Sequence, residues 1–393
     1  MKKVVALALV VSLTAGFGWA KPQKAKLKGV KLKGVIKIGF FSPLTGFAAA
    51  DGLSALRGAR LAVEQINKNG GLLGKKVVLV NYDDRVKSSE AVAIARKLVT
   101  KDRVIAAVSG SYSGPTRAAA PIFQQFKVPM ISAYAVHPEI TKAGDYIFRN
   151  GFLGTVEGKA MGEVALKFLR AKRIALLVID NDYGHSLAEG VKMRIRQLGG
   201  AKIVYEKTYS IGEKDFTPLL TAARAQKPDL LIATAYYNEA AQIARQVKQM
   251  GWKIQILGEE GYDSPKFLEL AGDAAEGVII TTNLNRDDLS SITQNFIKNF
   301  KTKYNEDPDM VGASSYDAVM LLAKAIKKAH STNPARIRDA LQSLQNEVLA
   351  TGVLYRFTRG REVVKPVQVQ IVKNGEFHYY GIIADPDVVT PPW

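Results

Sequence analysis

The sequence predicts an α/β protein of two similar doubly wound parallel-sheet lobes, and three observations predict it. Short apolar runs alternate with amphipathic segments of helical period along most of the chain, the order that places a parallel sheet between layers of helices. The alternation runs through one set of elements and begins again near residue 173. About 355 residues follow a lysine-rich leader, more than a single hydrophobic core usually holds.

In the first half, residues 35–41, 76–82, 103–108 and 129–132 read as strands. Between the first two, residues 53–67 read as a helix, with Leu56, Ala59, Val63 and Ile66 on one face at spacings of three and four. Asn69-Gly70-Gly71 stops that helix in the manner of a glycine C-cap. The second half opens with Arg173-Ile174-Ala175-Leu176-Leu177-Val178-Ile179-Asp180, a strand apolar enough to be buried on both faces. Helix 184–198, strand 202–207, helix 215–226, strand 229–234, helix 238–250 and strands 254–258 and 277–282 follow. Two helices, 290–305 and 314–329, come next with no strand between them. The chain closes on a hairpin, 367–373 and 377–383, turned by Asn374-Gly375, the strongest short hairpin signal.

The first residues read as an export signal. Lys2 and Lys3 precede an apolar run from Val4 to Val11, and Gly18-Trp19-Ala20 ends in a small residue, the order of a cleavable secretory peptide. Ser12, Thr14 and two glycines make the stretch too short to span a bilayer. There are no cysteines, which excludes thiol nucleophiles, disulfides, thiolate metal sites and a lipidated cysteine anchor. The expected location is therefore the periplasm. Of the net charge of +19, nine positive charges lie within residues 1–37, where there is no acid and, between Lys21 and Lys37, no aromatic residue. Nucleic-acid binding would interleave stacking rings with such charge, so residues 21–34 read as a solvated leader and no nucleic-acid partner is expected.

Catalytic arrangements fail residue by residue. The four histidines, His137, His185, His330 and His378, form no metal-binding pair. Gly110-Ser111-Tyr112-Ser113-Gly114 puts a tyrosine where a nucleophile elbow needs serine. Gly70-Gly71-Leu72-Leu73-Gly74-Lys75-Lys76 is one residue short of a phosphate loop and lacks its hydroxyl. The expectation is a binding protein without metal or cofactor. In an open α/β sheet, ligands bind outside the carboxyl ends of the strands, which here are loops of small, polar and aromatic residues. After strand 103–108, Pro115 suits the first turn of a helix, leaving Tyr112, the Ser113 hydroxyl and free N–H groups at an anion-accepting N-terminus. A serine there can also simply cap the helix. The next loop offers Tyr134, Ala135 and Val136. The second half offers Tyr183, Tyr236 and Glu260.

Several segments, in order, carry a family resemblance: Ser42-Pro43-Leu44-Thr45-Gly46, Ala62-Val63-Glu64-Gln65-Ile66-Asn67-Lys68-Asn69-Gly70-Gly71, Tyr82-Asp83-Asp84, His137-Pro138-Glu139-Ile140-Thr141, Tyr183-Gly184, Gly212-Glu213-Lys214-Asp215-Phe216 and Ala275-Glu276-Gly277. From about residue 35 to 383 the chain resembles the leucine/isoleucine/valine-binding proteins of ABC amino-acid importers. The resemblance implies the type I periplasmic binding fold, with three chain crossings between lobes. It places one lobe at 35–153 plus 284–366, the other at 154–283 plus 367–383, and a tail at 384–393. It implies that Ser113 meets a ligand carboxylate, Glu260 an ammonium, and that Tyr183 and Tyr236 cover the ligand. The implied partners are a small amino acid-like ligand and an inner-membrane ABC permease, with the protein acting as a monomer.

Three positions depart from the family's leucine binders. Val136 stands where they have threonine, Tyr134 replaces a small residue, and Asp51 stands in place of an aromatic wall. A carboxylate beside an apolar side chain is costly, so these departures point to a zwitterionic ligand with a side chain more polar than leucine's. An amide, a urea-like molecule or an aromatic acid, or a sensory role without transport, are the competing readings.

Overall fold

The computed structural model describes residues 34–392. The signal-like segment 1–20 and the leader up to residue 33 lie outside the described residues. In the first lobe, β1 (Val35–Ser42), α1 (Ala49–Lys68), β2 (Lys76–Asp83), α2 (Ser88–Lys97), β3 (Ala106–Ser109), α3 (Ser113–Gln125), β4 (Met130–Ser132), α4 (Glu139–Lys142) and β5 (Ile147–Arg149) form a parallel sheet of order β2-β1-β3-β4-β5. The second lobe contains α5 (Gly154–Glu163), β6 (Arg173–Ile179), α6 (Asp182–Leu198), β7 (Lys202–Tyr209), α7 (Thr217–Ala225), β8 (Leu230–Thr234), α8 (Tyr237–Gln249), β9 (Gln255–Gly258), α9 (Pro265–Ala271) and β10 (Ile279–Thr282). The chain continues through α10 (Ser291–Tyr304), α11 (Met310–Ala329), α12 (Pro334–Gln342), β11 (Gln345–Leu349), β12 (Gly352–Phe357) and β13 (Val363–Val364). It ends with β14 (Val367–Lys373), β15 (Glu376–Ile383) and α13 (Pro386–Val389). The second sheet has order β15-β14-β10-β9-β8-β6-β7, and β11–β13 form a small sheet of their own.

The chain passes between the two large sheets three times: after β5, after β10 and after β13. Because β1, β3 and β4 are parallel, as are β6, β8 and β9, each sheet sends its strand-to-helix loops to one edge. The two edges face each other across a cleft. The hairpin β14–β15 turns at Asn374 and Gly375, both at positive φ (53° and 77°), as a two-residue turn requires.

Four differences from the sequence reading have physical causes. The strand expected from 103 begins at Ala106 because Leu98–Asp102 continues α2 as a wide helical turn, closed by Arg103 at φ 55°. Helix α1 begins at Ala49, four residues before expected. A Cβ on Gly52 would lie 1.8 Å from the Pro43 carbonyl oxygen, so only glycine lets this extra turn rest on the loop after β1 and carry Asp51 with it. Helix α12 and the sheet β11–β13 were not expected at all; their strands are short and half exposed, without a clear apolar period. The tail after 383 is not loose: α13 packs on α5, with Val388 and Val389 buried.

A buried ion pair joins the first lobe to the crossing after β13. Arg149, at the end of β5, and Glu362 are both fully buried, with Nε and Oε2 2.7 Å apart. The guanidinium also donates to the carbonyls of Ala135 and, at 2.7 Å, His137, while the Thr141 hydroxyl donates to Glu362. Removing one member of such a pair leaves a buried charge without its partner. Arg149→Met is therefore expected to destabilise the protein by about 3–5 kcal/mol, read as a lowered urea midpoint. A midpoint equal to wild type would show that water reaches Glu362.

Candidate functional site

The site is built where the loops of both lobes meet. In the first lobe β3 ends at Ser109 and α3 starts at Ser113. Tyr112 holds the N-cap position without any side-chain cap bond. Ser113 does not cap its helix: its Oγ accepts the Val136 N–H at 3.2 Å. The Ser113 and Gly114 N–H groups find no acceptor among the described residues, and Pro115 has no N–H to offer. The α3 N-terminus is therefore left open to an anion.

Next to it, the Tyr112 hydroxyl donates to Asp51 Oδ2 at 2.6 Å, and the Tyr134 hydroxyl donates to the Gly110 carbonyl at 2.8 Å. The Ala135 carbonyl is held by Arg149. Val136 is fully buried, with its N–H on Ser113 and its carbonyl on the Gly154 N–H. It holds the serine in place and does not line the cavity.

From the second lobe come Tyr183, in the first turn of α6, Tyr236, preceding α8, and Glu260, in a short turn after β9. The Tyr183 hydroxyl donates to Glu259, which also accepts the N–H groups of Ala235 at 2.8 Å and Gly261 at 2.5 Å. A Cβ on Gly261 would lie 2.1 Å from the Ala235 oxygen, so glycine permits this turn to press on the Tyr236 loop. Asn181 Nδ2 donates to the Tyr236 hydroxyl at 3.3 Å. Glu260 is 2 % exposed. Its one hydrogen-bond donor is Asn283 Nδ2, at 3.4 Å from Oε2.

Eight of the nine residues singled out in the sequence surround one cavity: Asp51, Tyr112, Ser113, Tyr134, Ala135, Tyr183, Tyr236 and Glu260. Gly261, from the loop that carries Glu260, also lines it, as do Asp263, Met310 and Val311, which were not anticipated. Asp263 lies in the same turn as Glu260, within reach of a closer reading. Met310 and Val311 open α11, which the apolar period alone starts at 314. The missed signal was Asp309, whose Oδ1 accepts the Gly312 N–H at 2.7 Å as an N-cap.

The lobes are closed on each other. Tyr112 stacks on Tyr236 with ring centroids 4.4 Å apart, and Tyr236 stacks on Tyr183 at 5.1 Å. The Tyr237 hydroxyl donates to the Phe47 carbonyl at 2.6 Å, and Arg117 meets Asp182 at 3.0 Å. The cavity behind the rings has about 20 Å³, room for about one water. In front of them is a recess of about 340 Å³ bordered by Ser88, Arg117 and Asn181. Tyr112, Ser113, Tyr183 and Tyr236 border both, so parting the rings joins the two spaces.

Burial dominates the electrostatics. It raises the Asp51 carboxyl to about 7, helped by the neighbouring Asp309, itself raised to about 6. Glu259 is likewise lifted by burial to about 7. Glu157 accepts the Glu260 N–H at 3.1 Å and the Thr281 hydroxyl at 2.9 Å. Burial, and then the repulsion of neighbouring carboxylates (Glu259 on Glu157, Glu157 and Glu259 on Glu260), push both well above the usual carboxylate range. Lys365, fully buried and lowered to about 8, pulls Glu260 back toward ionisation. No His/Cys/Asp/Glu group suited to holding a metal ion occurs among the described residues.

The sequence profile of the periplasmic binding protein family matches residues 35–376. The chain is 33% identical over 310 residues to the leucine-, isoleucine-, valine-, threonine- and alanine-binding protein of Pseudomonas aeruginosa, covering 78% of this chain and 82% of that one. A leucine binding protein from Thermotoga maritima superposes with a TM-score of 0.83 at 31% identity, covering 90% of this chain and 99% of its own. The branched-chain amino acid transporter substrate-binding protein of Streptococcus pneumoniae, in complex with isoleucine, gives 0.82 at 30% identity, covering 89% and 99%. The chain belongs to the periplasmic binding protein family, and its fold is the one these structures share.

Asp51 provides a test of the site's electrostatics. Its folded carboxyl titrates near 7 against an ordinary 3.8, so the folded state holds a proton that the unfolded state has lost. Its contribution to stability is present below about 4 and lost as pH rises through about 7. Asp51→Asn is therefore expected to gain stability relative to wild type as pH rises from 4 to 8. Urea midpoints measured across that range decide it, and parallel curves for the two proteins would refute it.

Proposed function

We propose that this member of the family captures a small α-amino acid between its lobes and hands it to an ABC permease in the inner membrane. What carries the reading is the meeting, at one cavity, of two complementary groups from opposite lobes. The α3 N-terminus, with the Ser113 and Gly114 N–H groups free, suits a carboxylate. The Glu260 carboxylate, short of hydrogen-bond donors and 2 % exposed, suits an ammonium. A zwitterion satisfies both at once only when the lobes approach each other, with the Tyr112 and Tyr236 rings parted so that the cavity of about 20 Å³ joins the recess in front of it. That gives the ligand the differential affinity for the closed form that a hinge motion requires. Tyr183 and Tyr236 cover it from the second lobe.

The names of the relatives support an amino acid as ligand class. The signal-like residues 1–20 support export to the periplasm, and a monomer suffices because one chain supplies every wall of the cavity.

Isothermal titration of the purified protein against the common L-amino acids tests the reading; silence across the whole set would sink it. Glu260→Ala is expected to weaken the best ligand by about 3–5 kcal/mol, because the ligand ammonium is then buried without a partner. Unchanged affinity in that variant would remove Glu260 from the site.

A further inference from the structure

The charges around the cavity do not balance. Three carboxylates line it, Asp51, Glu260 and Asp263, and no lysine, arginine or histidine does. Asp263 is answered by Arg286, which reaches both its oxygens, and by the Thr282 hydroxyl at 2.5 Å. Glu260 has the positive field of Lys365 behind it and, in the reading above, the ligand's α-ammonium in front. Asp51 has neither. Its Oδ2 accepts the Tyr112 hydroxyl, but its Oδ1 has no partner among the described residues, although the side chain is 6 % exposed and lines the cavity. Asp309 deepens the deficit. It is 4 % exposed, and its Oδ1 accepts from the Ser54 hydroxyl at 2.6 Å and the Gly312 N–H; the field of Arg286 favours its ionised form, but Arg286 makes its direct ion pair with Asp263. The groups acting on Asp51 are burial, Asp309, Asp263 and the Tyr112 hydroxyl, and no cation is among them.

An apolar ligand side chain placed here would shut water out from Asp51 Oδ1 and leave the carboxylate's desolvation uncompensated. A hydroxyl or amide would donate one hydrogen bond but leave the charge. A cation answers both needs.

We infer that the Asp51 end of the cavity takes a second cationic group, so that the ligand is a basic α-amino acid whose side-chain ammonium or guanidinium meets Asp51 Oδ1. The inference rests on the α-amino acid reading and adds the ligand's third charge. Carboxylate at α3, α-ammonium at Glu260 and side-chain cation at Asp51 together leave no carboxylate of the lining without a positive partner.

The test compares L-lysine, L-ornithine and L-arginine with L-norleucine and L-leucine by isothermal titration of the purified protein, because norleucine is lysine's chain without the terminal ammonium. At least one basic amino acid is expected to bind about 30-fold or more tightly than norleucine, the effect of pairing one buried charge. Asp51→Asn is expected to abolish that preference. Norleucine or leucine binding as tightly as every basic amino acid overturns the inference and leaves the α-amino acid reading standing. No binding by any of the five, nor by other amino acids, overturns that reading as well. A preference for basic ligands that survives Asp51→Asn overturns the role of Asp51. If the variant does not fold, the wild-type comparison alone decides the ligand class.

Discussion

The cleft depends on one guanidinium. Arg149 sits fully buried at the end of β5, bound to Glu362 and to the carbonyls of Ala135 and His137. Those carbonyls belong to the loop that holds Ala135 against the cavity and aims the Val136 N–H at Ser113. Glu362 belongs to the segment that leads into the crossing after β13. Arg149 thus ties the binding loop to the hinge by charge-assisted hydrogen bonds, which are shorter and stronger than neutral ones. The planar fork of arginine suits this geometry, since it serves a carboxylate and two carbonyls at once.

A second constraint is the density of carboxylates between the lobes. Asp51, Glu157, Glu259, Glu260, Asp263 and Asp309 are all buried in or beside the cavity, with Arg286 and Lys365 against them. Burial lifts the titration of Asp51, Asp309 and Glu259 to about 6–7. In the closed form a proton is thus the simplest substitute for an external cation. In the proposed complex the ligand's side-chain cation takes the place of the proton on Asp51 and turns an unfavourable desolvation into paired charge. The stacked rings of Tyr112, Tyr236 and Tyr183 supply closure energy that is independent of charge. Closure and charge recognition are therefore carried by different residues.

Most of this arrangement was legible in the sequence. The repeated alternation of apolar runs and helical periods marked both sheets, because strands buried on both faces leave an unambiguous signal. The loop residues Ser113, Tyr134, Tyr183, Tyr236 and Glu260 stood out because ligands on such sheets meet the carboxyl ends of strands. What stayed hidden was contact between segments far apart in the chain. Nothing local marks Glu157, in the middle of α5, as the acceptor of the Glu260 N–H. Met310 and Val311 enter the cavity because α11 is capped at Asp309, before its apolar period begins. The turn of α1 that carries Asp51 was missed because its position depends on Gly52 touching Pro43, a tertiary fit without periodicity.

That last fit explains how ligand preference can change on this scaffold without disturbing the fold. The backbone at residue 51 is set by Gly52 against the Pro43 carbonyl and by the Ser42 hydroxyl donating to the Gly52 carbonyl at 3.0 Å. Neither contact involves the residue 51 side chain, whose single hydrogen bond is with Tyr112. Glu260 is different: its turn is braced by Glu157, by Glu259 and by the close approach of Gly261 to Ala235. A change in the turn around Glu260 would disturb several buried acids together. A change at 51 replaces one wall of the cavity and leaves its neighbours in place. The turn that carries Glu260 is therefore held by many contacts and residue 51 by few, so in the proposed reading the residue type at 51 is where this chain sets the charge of its ligand.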